Sequence, residues 1–586
     1  MAEQLILKNL EFIKVLPYWA QEFSYKYCSQ TANLYIVNGN IRDFLPNKMY
    51  EGEFVFVRIQ EFISDVLFGN KDVIVFYDRS SGINFCTPEM QSQYIDEIKK
   101  LPDFSDIPRT DFLTSTPVKA FKYLEKYFLL NINKKSRVVL IIDYAETIIP
   151  NAKISELSDN DKNCLVTLNR WAHDPIFTQG DISIILLTEN LIDINQKLVS
   201  SPGTVKINIP FPDERVRESF LNFLDRQESL LLTDRLTPQR AAKITGGLNL
   251  LNLNQLSAES YQEDKPISLN YLKNKKKELI ENEAAGLLEF IESDHDLSMV
   301  SGHTIVKKRF KSAARALKLG RLDILPMGYL VSGPVGSGKS FMVSAFAGEI
   351  GIPIVKFKNF HSSWQGVTES NFEKTLSILK AMSPVGVMVD EADVFLGNRM
   401  KKGGMTVGSR IFSQITSFMG DTSYRGRIIW FLITCRPDLI PIDLKRQGRA
   451  EEHLSLFYPQ NITEREDLFE ILVKKLKLRI QKDISISDLL KKCHYDISGA
   501  DLEAILIRSK FNAAMKNHAI ITGEDILETI SDFIPPAYPY EIQLQNLVSV
   551  LECTGKDMIP KKFRNLERSK LISEIRELKT LLGERD

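Results

Sequence analysis

The sequence predicts an α/β protein made of two tandem modules, each a parallel sheet covered by helices and followed by a small helical domain. Two observations predict this architecture. Short β-branched runs alternate with amphipathic stretches through most of the 586 residues, as in parallel strands joined by helices. Each series of strands also leads into a helical stretch that begins at a proline-containing turn, at residues 211–214 and again at 458–461.

Eight apolar runs are the candidate strands. The predicted strands are 33–37, 73–77, 138–143 and 182–188 in the first half, and 328–332, 352–356, 386–390 and 428–434 in the second. The predicted domains are a sheet domain at 1–211 with a helical domain at 212–265, a charged helical linker at 266–295, a second sheet domain at 296–456 with a helical domain at 457–534, and a helical extension at 535–586.

Composition narrows the functional classes. The 75 Lys and Arg balance the 75 Asp and Glu, so no cationic surface favours nucleic acid as a partner. The longest apolar runs are strand-sized and fall short of the roughly 20 residues that a membrane helix needs. The N-terminus lacks a secretory pattern and the six cysteines form no C-x-x-C pair. These features predict a cytoplasmic protein whose partners are proteins or small molecules.

A phosphate-binding loop follows the strand at 328–332. Residues 333–340 read GPVGSGKS and match G-x-x-x-x-G-K-[ST], and an apolar helical stretch follows at 341–350. In this motif backbone amides and the helix start surround the phosphates, Lys339 bridges them, and the Ser340 hydroxyl reaches Mg²⁺. A chance glycine-rich turn is the alternative. The predicted ATP-binding residues are Gly333, Pro334, Val335, Gly336, Ser337, Gly338, Lys339, Ser340 and Phe341.

Two carboxylates end the strand that begins near Val387. Asp390 is predicted to hold Mg²⁺ together with Ser340, and Glu391 to polarise the attacking water. A strand ending in Asp-Glu is weak evidence by itself, because many strand ends are simply solvated. Its pairing with the phosphate loop makes the interpretation specific.

From about Met299 to Lys516 the chain resembles the AAA family proper of the AAA+ ATPases. The segments that carry the resemblance are the lead-in strand 327–333, a first pore loop at 363–371, the helix 409–420, the sensor strand ending at 434–439, an R-x-x-R segment at 446–449 and a lid turn at 497–502. The resemblance implies that Trp364, Gln365 and Gly366 grip a polypeptide substrate and that Gly499 and Ala500 approach the nucleotide. It also implies that Arg446 and Arg449 act on the γ-phosphate of a neighbouring subunit, in a homo-oligomeric ring that is usually a hexamer.

Purely structural interpretations of these residues remain open. Trp364 would more often be a core residue, although its polar, Gly-containing setting favours exposure. Arg446 and Arg449 could instead form an exposed ion pair. Two positions also depart from the family: Cys435 stands where Asn is usual, so hydrolysis is slow or Thr434 substitutes, and Gln365 replaces an aliphatic residue, which weakens the case for forceful threading.

The first half is predicted to repeat the architecture of the second without the residues that bind and hydrolyse ATP. The strand 73–77 leads into residues 78–82, where a phosphate loop would lie, but no Gly-Lys-Ser/Thr occurs there. Asp143 ends a later strand, with Tyr144 in place of the water-activating Glu. This half is expected to be a scaffold that stacks a second tier on the ring or presents partners, and an unrelated α/β domain is the alternative.

The C-terminal stretch 565–582 carries an apolar stripe. Its members are Leu571, Ile575, Leu578 and Leu582. The stripe is expected to dock on the chain's own helical domain or an adjacent subunit, or to bind an adaptor.

Together these features predict a chaperone-like ATPase that uses ATP and Mg²⁺ to remodel or unfold proteins as a ring. The alternative is a scaffold whose ring assembly ATP controls. A DNA-associated motor is disfavoured by the charge balance, and a fused metalloprotease is excluded because no H-E-x-x-H occurs in the chain.

Overall fold

A computed structural model describes residues 13–584, except residues 15, 30–31, 49–53, 70, 135, 235, 294, 351, 359–368, 397–406, 482–483, 494–495 and 535–537. The chain divides into two compact units. The first unit comprises Met1–Ala284 and Glu369–Met382, and the second comprises Ala285–Thr368 and Ser383–Asp586. In the described residues no helix combines the length and apolar content that crossing a membrane requires.

The first unit contains a six-stranded sheet and a short hairpin. Its strands are β1 (Leu34–Gly39), β2 (Leu45–Lys48), β3 (Phe54–Val57), β4 (Val73–Asp78), β5 (Gly82–Phe85), β6 (Val138–Ile142), β7 (Ile182–Thr188) and β8 (Thr204–Ile209). The sheet order is β5-β4-β6-β7-β1-β8, and β2 pairs with β3 in a separate two-stranded sheet. All pairs in the six-stranded sheet are parallel except β4 with β5.

The second unit contains a sheet with the same arrangement. Its strands are β9 (Leu288–Ile291), β10 (Gly328–Ser332), β11 (Ile354–Phe357), β12 (Val385–Val389), β13 (Ile428–Thr434) and β14 (Glu452–Ser455). The order is β14-β10-β13-β12-β11-β9, and only β9 is antiparallel to its neighbour. Read from the β8 and β14 edges, β1 corresponds to β10, β4 to β11, β6 to β12 and β7 to β13.

Helices cover both sheets and form a helical domain after each. The α-helices of the first unit are Tyr18–Cys28, Ile59–Glu61, Pro88–Lys99, Pro117–Asn133, Asp159–His173, Pro175–Gln179, Gln196–Val199, Glu214–Arg226, Pro238–Ile244, Leu250–Glu263, Leu269–Glu283 and Glu369–Met382, with a π-helix at Phe62–Leu67. Those of the second unit are Thr304–Lys318, Lys339–Ile350, Ala392–Leu396, Val407–Met419, Ile442–Lys445, Ile462–Lys475, Ile486–Lys491, Gly499–Met515, Gly523–Asp532, Pro539–Glu552, Lys561–Arg564 and Arg568–Leu581.

The central strands are buried along their whole length. Every residue of β6, β7, β12 and β13 is buried, as expected for parallel strands covered by helices on both faces. Their continuous β-branched and aliphatic runs are the signal that made the eight strands predictable. The predicted α/β fold class with two sheet-plus-helix modules is confirmed.

The structure adds elements that were not predicted. Strands β8 and β14 complete one edge of each sheet, and the antiparallel β5 and β9 complete the other. The charged stretch 273–278 lies inside the helix Leu269–Glu283, which belongs to the first unit and buries Leu272 and Ile280.

The apolar stripe near the C-terminus is buried within the extension. Leu571, Ile575 and Leu578 pack with the helix Pro539–Glu552 and with Phe457, which follows β14. The stripe therefore packs mainly on the preceding helix of the same extension, and on the predicted helical domain through Phe457. Its docking on an adjacent subunit or an adaptor stays a prediction.

Candidate nucleotide site

The predicted phosphate loop connects β10 to the helix Lys339–Ile350. Gly336 and Gly338 have φ angles of 77° and 83°, in the left-handed region that favours glycine. A Cβ on Gly336 would also lie 2.9 Å from the Ser498 hydroxyl, so the close approach of the helical domain adds a steric reason for glycine. The loop therefore has the backbone form that the motif implies.

Lys339 lies across this loop. Its side chain is buried, and its ammonium donates to the carbonyl oxygens of Gly333 and Pro334, each at 2.9 Å. A third contact, of 3.2 Å, runs to the Cys435 sulfur. The charge is thus held inside the loop by neutral acceptors that a phosphate oxygen can outcompete.

Asp390 follows β12 and lies beside Ser340, as predicted. The Ser340 hydroxyl donates to the two Asp390 carboxylate oxygens at 3.3 and 3.2 Å. Lys356 on β11, which belongs to none of the predicted motifs, contacts the same carboxylate at 2.9 Å. Glu391 is exposed, has a left-handed φ of 50°, and donates its amide N–H to Asp390.

These residues fit a magnesium nucleotide. The hydroxyl of Ser340 and the carboxylate of Asp390 are the hard oxygen donors that Mg²⁺ prefers, and they already lie within 3.3 Å of each other. The Ser337 hydroxyl in the loop is buried and has no hydrogen-bond partner among the residues that the structure describes. A buried polar group of this kind is costly unless a ligand or water satisfies it.

A cavity of about 810 Å³ extends from the loop towards the helical domain. Its lining includes His303, Phe341, Tyr458, Gly499 and Ala500. The lid turn touches the loop directly, because the Gly499 amide donates to the Gly336 carbonyl at 3.1 Å. The predicted nucleotide residues Gly499, Ala500 and Phe341 thus surround one cavity.

His303 gives this cavity an uncharged side chain. Burial, with a smaller effect of the Lys307 charge, lowers the pKa of His303 to about 4. The ring is therefore neutral at physiological pH and suits a neutral part of a ligand, such as a base or sugar, better than a phosphate.

Thr434 and Cys435, at the end of the sensor strand β13, have different partners. The Thr434 hydroxyl donates to Asp393 at 2.7 Å and accepts from the Arg436 amide, so both of its functions are engaged. Cys435 instead turns its sulfur to Lys339. A thiol is a weak hydrogen-bonding group, and this one is directed at the loop.

The two arginines that the resemblance assigns to the γ-phosphate of a neighbouring subunit differ in exposure. The Arg446 side chain is 60% exposed and lies 3.8 Å from Asp443, whereas that of Arg449 is 11% exposed. Arg449 donates to the Asp443 backbone carbonyl at 2.7 Å, and burial with the Arg446 charge lowers its pKa. Only Arg446 has the exposure that a group acting on another subunit requires.

The predicted pore-loop residues Trp364, Gln365 and Gly366 lie outside the described residues.

The C-terminal extension contacts both ends of the site, which sequence reasoning did not anticipate. The Gln545 side-chain carbonyl accepts from the Val335 amide in the phosphate loop at 2.9 Å. Arg436, next to the sensor residue, pairs with Asp438 and with Glu584 near the C-terminus. No local pattern signals these contacts, since they join residues that are 148 to 210 positions apart.

The corresponding position in the first unit lies after β1, not after β4. Because β1 matches β10 in the sheet order, the phosphate-loop position is residues 40–44, and its earlier placement at 78–82 is wrong. The loop 40–44 contains Arg42, which pairs with Asp143 at 2.8 Å. Gln60 donates to the same carboxylate at 3.0 Å.

Tyr144 occupies the position of Glu391 with the same backbone form. Its φ is 49°, and its amide donates to Asp143 at 2.8 Å. The Arg42 guanidinium lies 3.9 Å above the Tyr144 ring. An internal cation and an aromatic ring thus lie beside Asp143, whereas the second unit has the Ser340 hydroxyl and Glu391 beside Asp390.

Asp43 supplies an internal anion at the same loop. It is buried and accepts hydrogen bonds from Asn40 and from the amides of Leu250 and Leu251 at the start of the helix Leu250–Glu263. Burial raises its pKa above the ordinary range, and these hydrogen bonds oppose the rise. A carboxylate at a helix N-terminus occupies a favoured position for an anion, so the loop already holds one.

Known families match along most of the chain. A family described as the AAA+ chaperone N-terminal Rossmann-like domain matches residues 10–210, and the AAA+ chaperone second helical domain matches residues 215–285. The ATPase family associated with various cellular activities, AAA, matches residues 329–458. The alternative of an unrelated α/β domain in the first half is therefore not supported.

Similar proteins match over part of their length. An uncharacterized AAA domain-containing protein ycf46 of Gracilaria tenuistipitata var. liui is 26% identical over 46% of this chain and 55% of its own, and the ycf46 protein of Pyropia yezoensis is 25% identical over 44% and 53%. The ATP-dependent zinc metalloprotease FtsH of Karelsulcia muelleri (strain DMIN) is 28% identical over 38% of this chain and 35% of its own. The chain thus spans about half the length of the first two relatives and about a third of FtsH.

Proposed function

We propose, from the premise that this chain belongs to the AAA+ ATPases, that its second unit binds and hydrolyses ATP with magnesium while its first unit holds no nucleotide. The observation that carries the proposal is the contrast between two matching positions. In the second unit a loop lysine, a hydroxyl and two adjacent carboxylates converge, and in the first unit Arg42 and Asp43 fill the same place with the chain's own charges.

Each residue of the second unit has a defined task. Lys339 exchanges its carbonyl partners for phosphate oxygens, and the loop amides with the helix start hold the remaining charge. Magnesium, when bound by Ser340 and Asp390, would neutralise charge on the phosphates. Glu391, held in place by the strained backbone after Asp390, polarises the attacking water.

The finer proposal is a homo-oligomeric ring of six subunits, the number usual in the resembled family, that remodels protein substrates. It is supported by the exposure of Arg446, which lets its guanidinium reach a nucleotide held by another subunit. It is also supported by the match of the first half to AAA+ chaperone domains. Arg449 fixes the backbone that presents Arg446.

Glu391→Gln is the direct test of the chemistry. The variant keeps the shape and should still bind ATP, but its hydrolysis rate should fall by about 10²- to 10⁴-fold because the general base is lost. Glu470→Gln, on the exposed side of the helix Ile462–Lys475, makes the same chemical change away from the site and should hydrolyse at the wild-type rate. Wild-type hydrolysis by Glu391→Gln, with ATP binding intact, would overturn the proposal.

A nucleotide-controlled scaffold is the second candidate. It is favoured by Cys435, whose sulfur contacts Lys339 where the family usually has a water-orienting Asn. Trp364→Ala separates the two functions. If the chain is a remodelling ATPase, the variant should keep ring assembly but lose processing of a labelled unfolded protein such as casein. If the chain is a scaffold, both the wild type and the variant should assemble with ATP, and neither should process casein.

A further inference from the structure

The Lys356–Asp390 ion pair places a cation on a predicted magnesium ligand. Lys356 is opposite Met388 in the parallel pairing of β11 with β12. Side chains two residues apart on a strand share a face, so Asp390 is the diagonal neighbour of Lys356 on that face. The ammonium lies 2.9 Å from one Asp390 oxygen.

The pair is stronger than the other contacts of this carboxylate. Ser340 reaches Asp390 only at 3.2 and 3.3 Å and the Glu391 amide at 3.1 Å, which are long for charge-assisted hydrogen bonds. The Asp390 side chain is 21% exposed, so its charge is partly removed from water and needs a counter-charge. Lys356 supplies that counter-charge from within the fold.

We propose that Lys356 is a built-in cation that positions Asp390 before magnesium arrives and competes with magnesium for it. This inference rests on the proposed ATP site and deepens it. A divalent ion held by Asp390 and Ser340 would lie within a few ångströms of the ammonium, where two cations repel strongly. Lys356 must therefore give up the carboxylate oxygen when the metal is bound.

The side chain is able to make this exchange. Lys356 is 36% exposed, so its flexible stem can carry the ammonium to water or towards a bound phosphate without disturbing the core. Two consequences follow. The site should need more magnesium than the same site without Lys356, and it should retain measurable ATP affinity when magnesium is removed, because the ammonium still balances Asp390.

The test measures binding of a fluorescent, non-hydrolysable ATP analogue at rising magnesium concentration and again in excess EDTA. Lys356→Met should lower the magnesium concentration for half-maximal binding about tenfold and should weaken binding in EDTA several-fold. Lys356→Gln, a second neutral variant of a part-exposed side chain, should do the same. Lys356→Arg keeps the charge and should behave as the wild type.

Lys358→Met is the matched control. Lys358 is an exposed lysine directly after the end of β11, and its replacement removes one positive charge while Lys356 and Asp390 are both kept. The inference is overturned if Lys356→Met and Lys356→Gln need the same magnesium concentration as the wild type within twofold, or if Lys358→Met shifts it equally. A wild-type chain that binds no analogue at any magnesium concentration would instead refute the proposed ATP site itself.

Discussion

Replacing Asp43 tests whether its buried carboxylate stabilises the start of the helix Leu250–Glu263 in the first unit. Asp43 is 2% exposed and accepts from Leu250 and Leu251 at 2.9 and 2.8 Å and from Asn40 at 2.8 Å. Asp43→Ala leaves two amides in the first turn of a helix without partners. Each unsatisfied donor costs about 1–3 kcal/mol, and the relief of carboxylate burial returns part of this, so we expect a net loss of about 2–3 kcal/mol.

Hydrogen exchange read by mass spectrometry measures this loss locally, which matters because a two-unit chain need not unfold in one step. Peptides containing Leu250 and Leu251 should exchange about 30- to 150-fold faster in Asp43→Ala, since 1.4 kcal/mol is about a factor of ten. Asp43→Asn keeps an acceptor and should give a smaller increase, and the exposed Asp103→Ala should give none. Unchanged protection of these amides in Asp43→Ala would refute the reasoning.

Three further predictions concern the second unit. Arg446→Ala and Glu391→Gln chains should each be inactive alone and should regain part of their ATPase activity when mixed. In the mixture, an intact Glu391 of one chain meets an intact Arg446 of its neighbour. No recovery would contradict a site shared between subunits. Cys435→Asn should raise kcat several-fold in a steady-state ATPase assay, since an amide orients water better than a thiol, and a fall in kcat would contradict this. The pKa of His303 is about 4, below the 6.5 of an ordinary histidine. Between these pH values the native chain therefore binds fewer protons than the unfolded chain. Its free energy of unfolding consequently falls as the pH drops from 6.5 to 4. The urea concentration at which the second unit unfolds should therefore fall between pH 7.5 and pH 5, and it should fall less in His303→Gln than in the wild type. An equal fall in both proteins would refute this prediction.

Much of the fold was predictable because its signals are local. A buried parallel strand needs a continuous β-branched or aliphatic run, and runs such as 138–142 and 428–434 meet that need within a few residues. The phosphate loop was predictable for the same reason, since its chemistry requires Gly338, Lys339 and Ser340 in succession.

The arrangement of the first unit was not predictable, because it depends on which strands are neighbours. Sequence order offered the strand 73–77 as the start of the loop, but hydrogen bonding places Leu34–Gly39 between β7 and β8, in the position of β10. The Arg42–Asp143 pair joins residues 101 positions apart, and nothing near either residue indicates the other.

Two contacts at the candidate nucleotide site were not predictable for a related reason. Lys356 is one polar residue in an apolar strand, and Gln545 is one of several polar residues on the helix Pro539–Glu552, so neither is conspicuous in the sequence. Their partners, Asp390 and the Val335 amide, are set by strand pairing and by the packing of the extension. Such contacts are recognisable only when the sheet register and the packing of the helices are known.

The most direct measurement of the central claim is the number of ATP molecules bound per chain, determined by isothermal titration calorimetry on the 586-residue Glu391→Gln protein with magnesium. One intact site and one site filled by Arg42 and Asp43 predict a stoichiometry of one, and Lys339→Ala in the same background should reduce it to zero. A stoichiometry of two, or one that persists without Lys339, would contradict the account.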